Sequence, residues 1–329
     1  LFEPEGPRDN HQGRLTAATT ILNDGIVAID TEYARSLQDA SHLIVQDGRA
    51  AFVDTGVNDS VPLLLDALRQ QDLDVADVDF VSLTHVHLDH AGGAGLLMQE
   101  LPNARCVVHR YGARHMIDPT KLIAGTEAVY GAEETRKTYG TIRPIDEDRI
   151  HIPGDGDWLS LNGRELQLLN TEGHARHHHV IHDPASKGVF TGDSFGVSYR
   201  ELDTDKGEIV FPTSTPVQFD PVEAHKAVDR IMGCEPEQLY LTHYSRVRNL
   251  DRLAGQMHRG IDAYVAIAEA HEHDDDRPGN IRAGLTGYYA AELADHGYEG
   301  SRDEMLEVLS IDIELNAQGL EFWLEKRQQ

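Results

Sequence analysis

From residue 25 onward, short apolar runs alternate with turn residues at the spacing of buried strands. Gly25-Ile26-Val27-Ala28-Ile29 is one such run. His42-Leu43-Ile44-Val45 leads into the turn Gln46-Asp47-Gly48 and returns as Ala50-Ala51-Phe52-Val53-Asp54, which predicts a hairpin. Val78–Leu83, Ala104–His109, Leu166–Leu169, Gly188–Thr191 and Gln238–Thr242 read as further strands. Between them, Leu63, Leu64, Ala67 and Leu68 share one helical face, and Gly92–Leu101 predicts a second helix stopped by Pro102. Strands spaced by helices predict an α/β core over residues 1–250. Residues 112–150 hold Gly, Tyr and charge with few apolar runs, and predict a helical lid inserted over one end of the sheet.

Past residue 250 the texture is helical, and residues 251–329 read as a C-terminal extension. A helix is expected over Leu250–His271, then a linker (residues 271–276 with Pro278-Gly279), a helix over Ile281–Leu293 and a long one over Asp303–Lys326. In the last, Met305, Leu306, Leu309, Ile313, Leu320, Trp323 and Leu324 form a stripe that suits either the core or a homodimer face. No repeat at solenoid periods is visible.

Composition narrows the function classes. The hydrophobic fraction of 40% supports a real core. Lys and Arg number 29 against 56 Asp and Glu, a formal net charge of −27. That balance disfavours a nucleic-acid polymer as partner and docking on an anionic membrane. It also fits a saline habitat. No apolar run of about 18 residues is present to span a bilayer. Cys106 and Cys234 are too few and too far apart for a disulfide framework or metal cluster, and read as small buried thiols. The first fourteen residues are polar with no apolar signal core, and the chain starts at Leu1. Cytoplasm is the default expectation, with a removed signal peptide as the alternative.

The chemistry concentrates in Thr84-His85-Val86-His87-Leu88-Asp89-His90-Ala91-Gly92-Gly93. Four metal-binding side chains fall within six residues, where an apolar strand gives way to a glycine-rich turn. In an extended turn His85 and His87 point to one side and can share an ion. Asp89 and His90 follow one turn later and can reach a second. Imidazole and carboxylate donors suit Zn, and also Fe, Mn or Co. Three later strands each end in one more such residue: His174, Asp193 and His243. Sites in α/β proteins gather at the carboxyl ends of strands.

With Asp54-Thr55-Gly56, the His85–His90 block, Gly173-His174, Gly192-Asp193 and Thr242-His243 in this order, the chain resembles the metallo-β-lactamase-fold hydrolases over residues 20–250. The resemblance implies an αββα four-layer sandwich, two mixed sheets face to face with helices outside. It implies two divalent ions, Zn first and Fe or Mn as alternatives. His85, His87 and His174 would hold one, Asp89, His90 and His243 the other, and Asp193 would bridge them. Asp54 would orient a ligand histidine. His178 falls where many relatives carry a further histidine and would support the site. The implied reaction is attack by a bridging hydroxide on a small molecule's ester, thioester or lactone bond, with Asp89 helping to move the proton.

A bridging Asp193 sets the chain apart from true β-lactamases of this fold. Glyoxalase II resembles the core and also carries a helical C-terminal part. Its Gly-Cys-Gly-Arg stretch is replaced here by Ser194-Phe195-Gly196-Val197-Ser198-Tyr199, which counts against glutathione thioesters and against the related single-iron persulfide dioxygenases. Lactonases of the fold use a tyrosine near the bridging Asp, and Tyr199 is the candidate for that catalytic role. A phosphodiesterase acting on a small phosphate substrate is the alternative from another class, with an iron-dependent persulfide dioxygenase-like enzyme ranked behind it. Glu172 stands where the family often has Pro. Weaker candidates are the segment Val108–His115 and Tyr244, Arg246 and Arg248. His177, His179, His271 and His273 read as bystanders.

Overall fold

The computed structural model describes residues 17–214 and 217–328, so the polar first fourteen residues lie outside the described part. The chain enters through four strands, β1 (Thr19–Ile21), β2 (Ile26–Asp30), β3 (Ala40–Gln46) and β4 (Arg49–Val53), paired antiparallel in sequence order. Then follow α1 (Val61–Gln70), β5 (Val78–Ser82), α2 (Leu88–Ala91), α3 (Ala94–Glu100) and β6 (Arg105–Val107). The insertion contributes α4 (Arg110–Ile117), α5 (Thr120–Tyr130) and α6 (Ala132–Tyr139) before β7 (Ile150–His151). Strands β4 to β7 pair in parallel and complete a seven-stranded mixed sheet. The second sheet holds β8 (Trp158–Leu161), β9 (Arg164–Asn170), β10 (His179–Asp183), β11 (Gly188–Gly192), β12 (Gln238–Leu241) and β13 (Ser245–Val247). Only the β11–β12 pair in it is parallel, spanned by a crossover that contains α7 (Pro221–Met232). The chain ends in α8 (Leu250–Ala270), α9 (Arg277–His296) and α10 (Arg302–Arg327).

The two-residue strand period builds the layers. Ile26, Ala28, Ile44, Ala51 and Val53 face inward and meet Leu166, Leu168, Ile181, Phe190 and Tyr240 of the second sheet. Their alternates Val27, Ile29, Leu43, Ala50 and Phe52 face outward into a cluster with α1 and α3, through Leu64, Ala67, Leu68 and Leu97. The outer face of the second sheet, Val180, Val189, Leu239 and Leu241, joins Val228 and Ile231 of α7 and the apolar faces of α8 to α10. The result is the four-layer αββα sandwich. Each fully buried Leu, Ile or Phe contributes about 1.5–3 kcal/mol to holding the layers together.

The α10 stripe belongs to that core: Met305, Leu309, Ile313, Leu320 and Leu324 are buried within the chain, with Leu306 and Trp323 half-buried beside them. Two expectations differ in detail. The helix expected over 92–101 starts later, at Ala94, and Gly92-Gly93 separate it from the short α2, which was not expected. Pro278 and Gly279 lie in the first turn of α9 rather than in a linker, because Asp276 caps that turn by accepting from Gly279 N at 3.2 Å and proline suits it. Strands β1, β7, β8, β10 and β13 were not expected. Of the thiols, Cys106 is buried in β6 and Cys234 half-buried. Among the described residues no helix is long and apolar enough to cross a membrane.

Candidate metal centre

Five loops that follow strand ends meet at one edge of the sandwich. After β4 the chain turns at Asp54 with φ +57°. After β5 it runs extended through His87, whose backbone (φ −64°, ψ 149°) precedes α2 and sets His87 ahead of Asp89 and His90. The first loop braces the second: Thr55 N donates to His90 O at 2.7 Å and Gly93 N to Gly56 O at 2.8 Å. A side chain at Gly93 would put its Cβ 2.7 Å from Val57 O, so the close approach of the two loops requires glycine there. The loops after β9, β11 and β12 bring His174, Asp193 and His243.

The structure brings all seven sequence-identified metal residues together. His85, His87 and His174 form one group of converging donor atoms, and Asp89, His90 and His243 another. In the first, His87 Nδ1 lies 2.9 Å from His85 Nε2 and 3.0 Å from His174 Nε2. Asp193 reaches both groups with different oxygens: Oδ2 lies 3.3 Å from His174 Nε2, while Oδ1 lies 3.1 Å from His90 Nε2 and 3.4 Å from His243 Nε2. Asp89 Oδ2 lies 3.6 Å from His90 Nε2 and 3.7 Å from His243 Nε2.

The donor set fits divalent ions. His90 Nε2 and Asp193 Oδ1 are buried and face each other at 3.1 Å without a well-formed hydrogen bond. Burial, aided by neighbouring histidines, holds His85 and His87 well below the usual histidine range, and burial lowers His174 as well. These rings are therefore neutral and keep lone pairs to donate. His90 and His243 go the other way. Burial opposes their charge, but Asp193, Asp89 and Asp54 raise His90 well above its ordinary value, and Asp39 and Asp193 do the same for His243. Burial would push Asp193 up, yet His90, His243 and His174 hold it well below the carboxylate range.

Behind the donors stands a layer of fixed partners. Asp54 Oδ2 lies 2.8 Å from His90 Nδ1 and accepts from the hydroxyls of Thr84 and Thr242, both at 2.8 Å, while Oδ1 accepts from Thr84 N at 2.8 Å. His178 Nδ1 lies 3.0 Å from both Thr171 Oγ1 and Ser194 Oγ, and its Nε2 accepts from Asp193 N at 3.2 Å. His178 thus holds the backbone of Asp193. Gly192 between them has φ +48°, and a Cβ there would sit 2.6 Å from His178 Nε2 and Thr84 Oγ1.

Sequence reading missed three supports. Asp39 Oδ1 lies 2.7 Å from His243 Nδ1, and burial raises this carboxyl to about 6 against the pull of His243. Thr213 Oγ1 lies 2.8 Å from His174 Nδ1. The Tyr33 and Tyr139 hydroxyls pair at 3.0 Å, and Tyr139 packs with Leu88, next to Asp89. The signal for Asp39 was a lone acid at the start of a strand, and for Thr213 a lone hydroxyl.

Other candidates are placed as follows. Tyr199 is buried; its hydroxyl donates to Asp312 Oδ1 of α10 at 3.1 Å and accepts from Gln38 Nε2 at 3.3 Å. Those bonds reach none of the seven donors. His177 is closer than expected, its ring 5.4 Å edge-on to His87. His179 is a buried strand residue of β10. His109 caps α4, accepting from Tyr111 N at 3.3 Å, and Arg110, Tyr111 and Arg114 are exposed. Tyr244 is buried, Arg246 half-buried and Arg248 exposed. His271 Nδ1 meets Asp274 at 2.7 Å in the turn after α8, and His273 is exposed.

The family model of the metallo-beta-lactamase superfamily matches residues 36–243, which spans the whole constellation. The chain belongs to the metallo-beta-lactamase superfamily. Within it, the chain is 29% identical over 170 residues to a metallo-beta-lactamase fold-containing protein of Sulfurisphaera tokodaii, covering 50% of this chain and 57% of that protein. It is 31% identical over 152 residues to a hydroxyacylglutathione hydrolase of Stenotrophomonas maltophilia, covering 46% and 44%. The chain thus spans about half the length of these curated relatives. A solved superfamily protein from Thermus thermophilus superposes with a TM-score of 0.64 at 18% identity, over 92% of this chain and 94% of that one. An archaeal superfamily protein from Sulfolobus tokodaii does so with 0.62 at 22% identity, over 90% and 98%. These two superpositions show the fold.

Proposed function

We propose that the protein is a dinuclear metal-dependent hydrolase that cleaves an ester, thioester or lactone bond of a small molecule. The observation that carries this reading is the pair of donor groups sharing Asp193 through its two oxygens. The naming of one relative as a hydroxyacylglutathione hydrolase supports a thioester within that class. His85, His87, His174 and Asp193 Oδ2 would hold one ion; Asp89, His90, His243 and Asp193 Oδ1 the other. Bound divalent ions, Zn first, would supply Lewis acidity toward the scissile carbonyl and a lowered pKa for water.

The chain's own residues do the rest. Asp54 and Asp39 fix the His90 and His243 rings, so those donors do not reorient during turnover. Asp89 is the most open carboxylate of the set, its side chain 25% exposed against 6% for Asp193. It is therefore the group placed to take up or release a proton where substrate enters. Beside it, Leu88, Tyr139, Ile142, Leu122 and Ile123 make an apolar patch between the inserted helices and the loop of Tyr33. Leu88, Tyr139 and Ile142 are buried in that cluster, which holds the inserted helices beside the metal centre as its lid. A small substrate also accords with the net charge of −27, which repels polyanions.

A panel of purified thioesters, lactones, simple esters and bis-p-nitrophenyl phosphate tests the reading on protein of known metal content. Turnover of a carbonyl substrate, lost on chelation and restored by Zn, is expected. Turnover of the phosphodiester alone would overturn it.

A further inference from the structure

Away from the metal centre, α7 and α8 pack side by side, and each carries a histidine and an aspartate one turn apart: His225 and Asp229 on α7, His258 and Asp262 on α8. The two imidazoles lie nearly parallel, 10° between planes and 5.0 Å between centroids, with Nδ1 facing Nδ1 at 2.7 Å. Each outer nitrogen meets the carboxylate of the opposite helix: His225 Nε2 lies 3.2 Å from Asp262 Oδ1 and His258 Nε2 3.2 Å from Asp229 Oδ1.

Counting hydrogens shows what this row needs. It has three close contacts, and two neutral imidazoles carry one ring hydrogen each. Carboxylates only accept, so both hydrogens belong on the Nε2 atoms. The two Nδ1 lone pairs are then left pointing at each other. Such a contact requires a cation between them. An imidazole whose far nitrogen is bound by a carboxylate is also the usual form of a metal-ligating histidine.

We propose that His225 and His258 bind a zinc-class divalent ion through their Nδ1 atoms, at a peripheral site on the α7–α8 face. Zn–N distances of about 2.0–2.1 Å at a tetrahedral angle set the two nitrogens about 3.3–3.4 Å apart, so the pair must open by about 0.6–0.7 Å and the rings must tilt to aim both lone pairs at the ion. The histidine side chains are 30% and 33% exposed, so an ion can enter and water can fill its remaining positions. Neighbouring cations are engaged elsewhere, Lys226 with Glu223 at 2.8 Å and Arg230 with Asp155 at 2.7 Å. The Asp229 and Asp262 carboxylates offset the ion's charge. This site ties the crossover helix of the second sheet to the first C-terminal helix and is independent of the hydrolase reading.

The test uses the full chain, first saturated with Zn at the central groups, then dialysed to equilibrium against Zn and analysed for total metal. Wild type is expected to hold one equivalent more than His225→Ala or His258→Ala, with the turnover of both variants unchanged. Equal stoichiometry in wild type and variants would overturn the proposal, and would leave a shared proton as the cation between the rings. Should either alanine variant fail to fold, the Asp229→Asn/Asp262→Asn variant keeps both ligands. It should bind the additional equivalent about 10-fold or more weakly, and an unchanged affinity would equally overturn the site.

Discussion

The two donor groups that share Asp193 differ in what stands behind their histidines. In the first, His85 Nδ1 and His174 Nδ1 meet threonine hydroxyls, Thr84 at 3.3 Å and Thr213 at 2.8 Å. In the second, His90 Nδ1 and His243 Nδ1 meet carboxylates, Asp54 at 2.8 Å and Asp39 at 2.7 Å. A hydroxyl donates or accepts and leaves the tautomer open, whereas a carboxylate only accepts and so places the hydrogen on Nδ1. On the proposed reading, the second group would thereby be fixed with Nε2 toward its ion and made more basic. Burial, aided by neighbouring histidines, disfavours charge on the first group, and lowers His85 and His87 well below the usual histidine range. On that reading an ion would enter the first group directly and would displace protons from the second.

The largest effect is expected where the comparison collapses. Asp193→Ala removes the oxygens that serve both groups, so metal mass spectrometry should show both ions weakened and turnover should fall to background. Retention of two tightly bound ions would break the idea of a shared bridge.

The next effect separates the groups by pH. His90 and His243 are raised, so below their shifted values each must lose a proton before an ion binds. His85, His87 and His174 are lowered and are already unprotonated at neutral pH. Affinity of the second group should therefore fall more steeply as pH drops from neutrality, and calorimetry in buffers of different ionisation enthalpy should show proton release confined to one ion. Equal release by both would contradict the contrast.

Asp39→Asn and Asp54→Asn should each weaken one ion by about 10- to 100-fold while sparing the other, read by competition with a chromophoric chelator. Asp54→Asn should also lower the melting temperature, because the same carboxylate accepts from Thr84 and Thr242. Thr213→Val should be mildest, about 0.5–1.5 kcal/mol in binding of the first ion, the worth of one neutral hydrogen bond.

Much of this was legible in the chain because it rests on local patterns. The alternation in Ile26–Ile29 and Ala50–Val53 specifies which side chains face the second sheet and which face the helices. The donors cluster in one six-residue block and then recur singly after three strands. What stayed hidden depends on distance in sequence. Asp39 is one of 56 acidic residues and lies 204 positions from His243, with no periodicity to link them. Thr213 resembles any loop threonine. Strand β10, His-Val-Ile-His-Asp, carries polar letters, yet four of its five positions are buried because it runs through the middle of a sheet. The Tyr33–Tyr139 pair joins the β2–β3 loop to the inserted helices, a contact no local pattern encodes.

Anomalous diffraction from crystals of the Zn-loaded full chain tests the central claim most directly. Two peaks about 3.5–4 Å apart, one against each oxygen of Asp193, are predicted. A single peak, or two peaks with Asp193 bound to one alone, would contradict it.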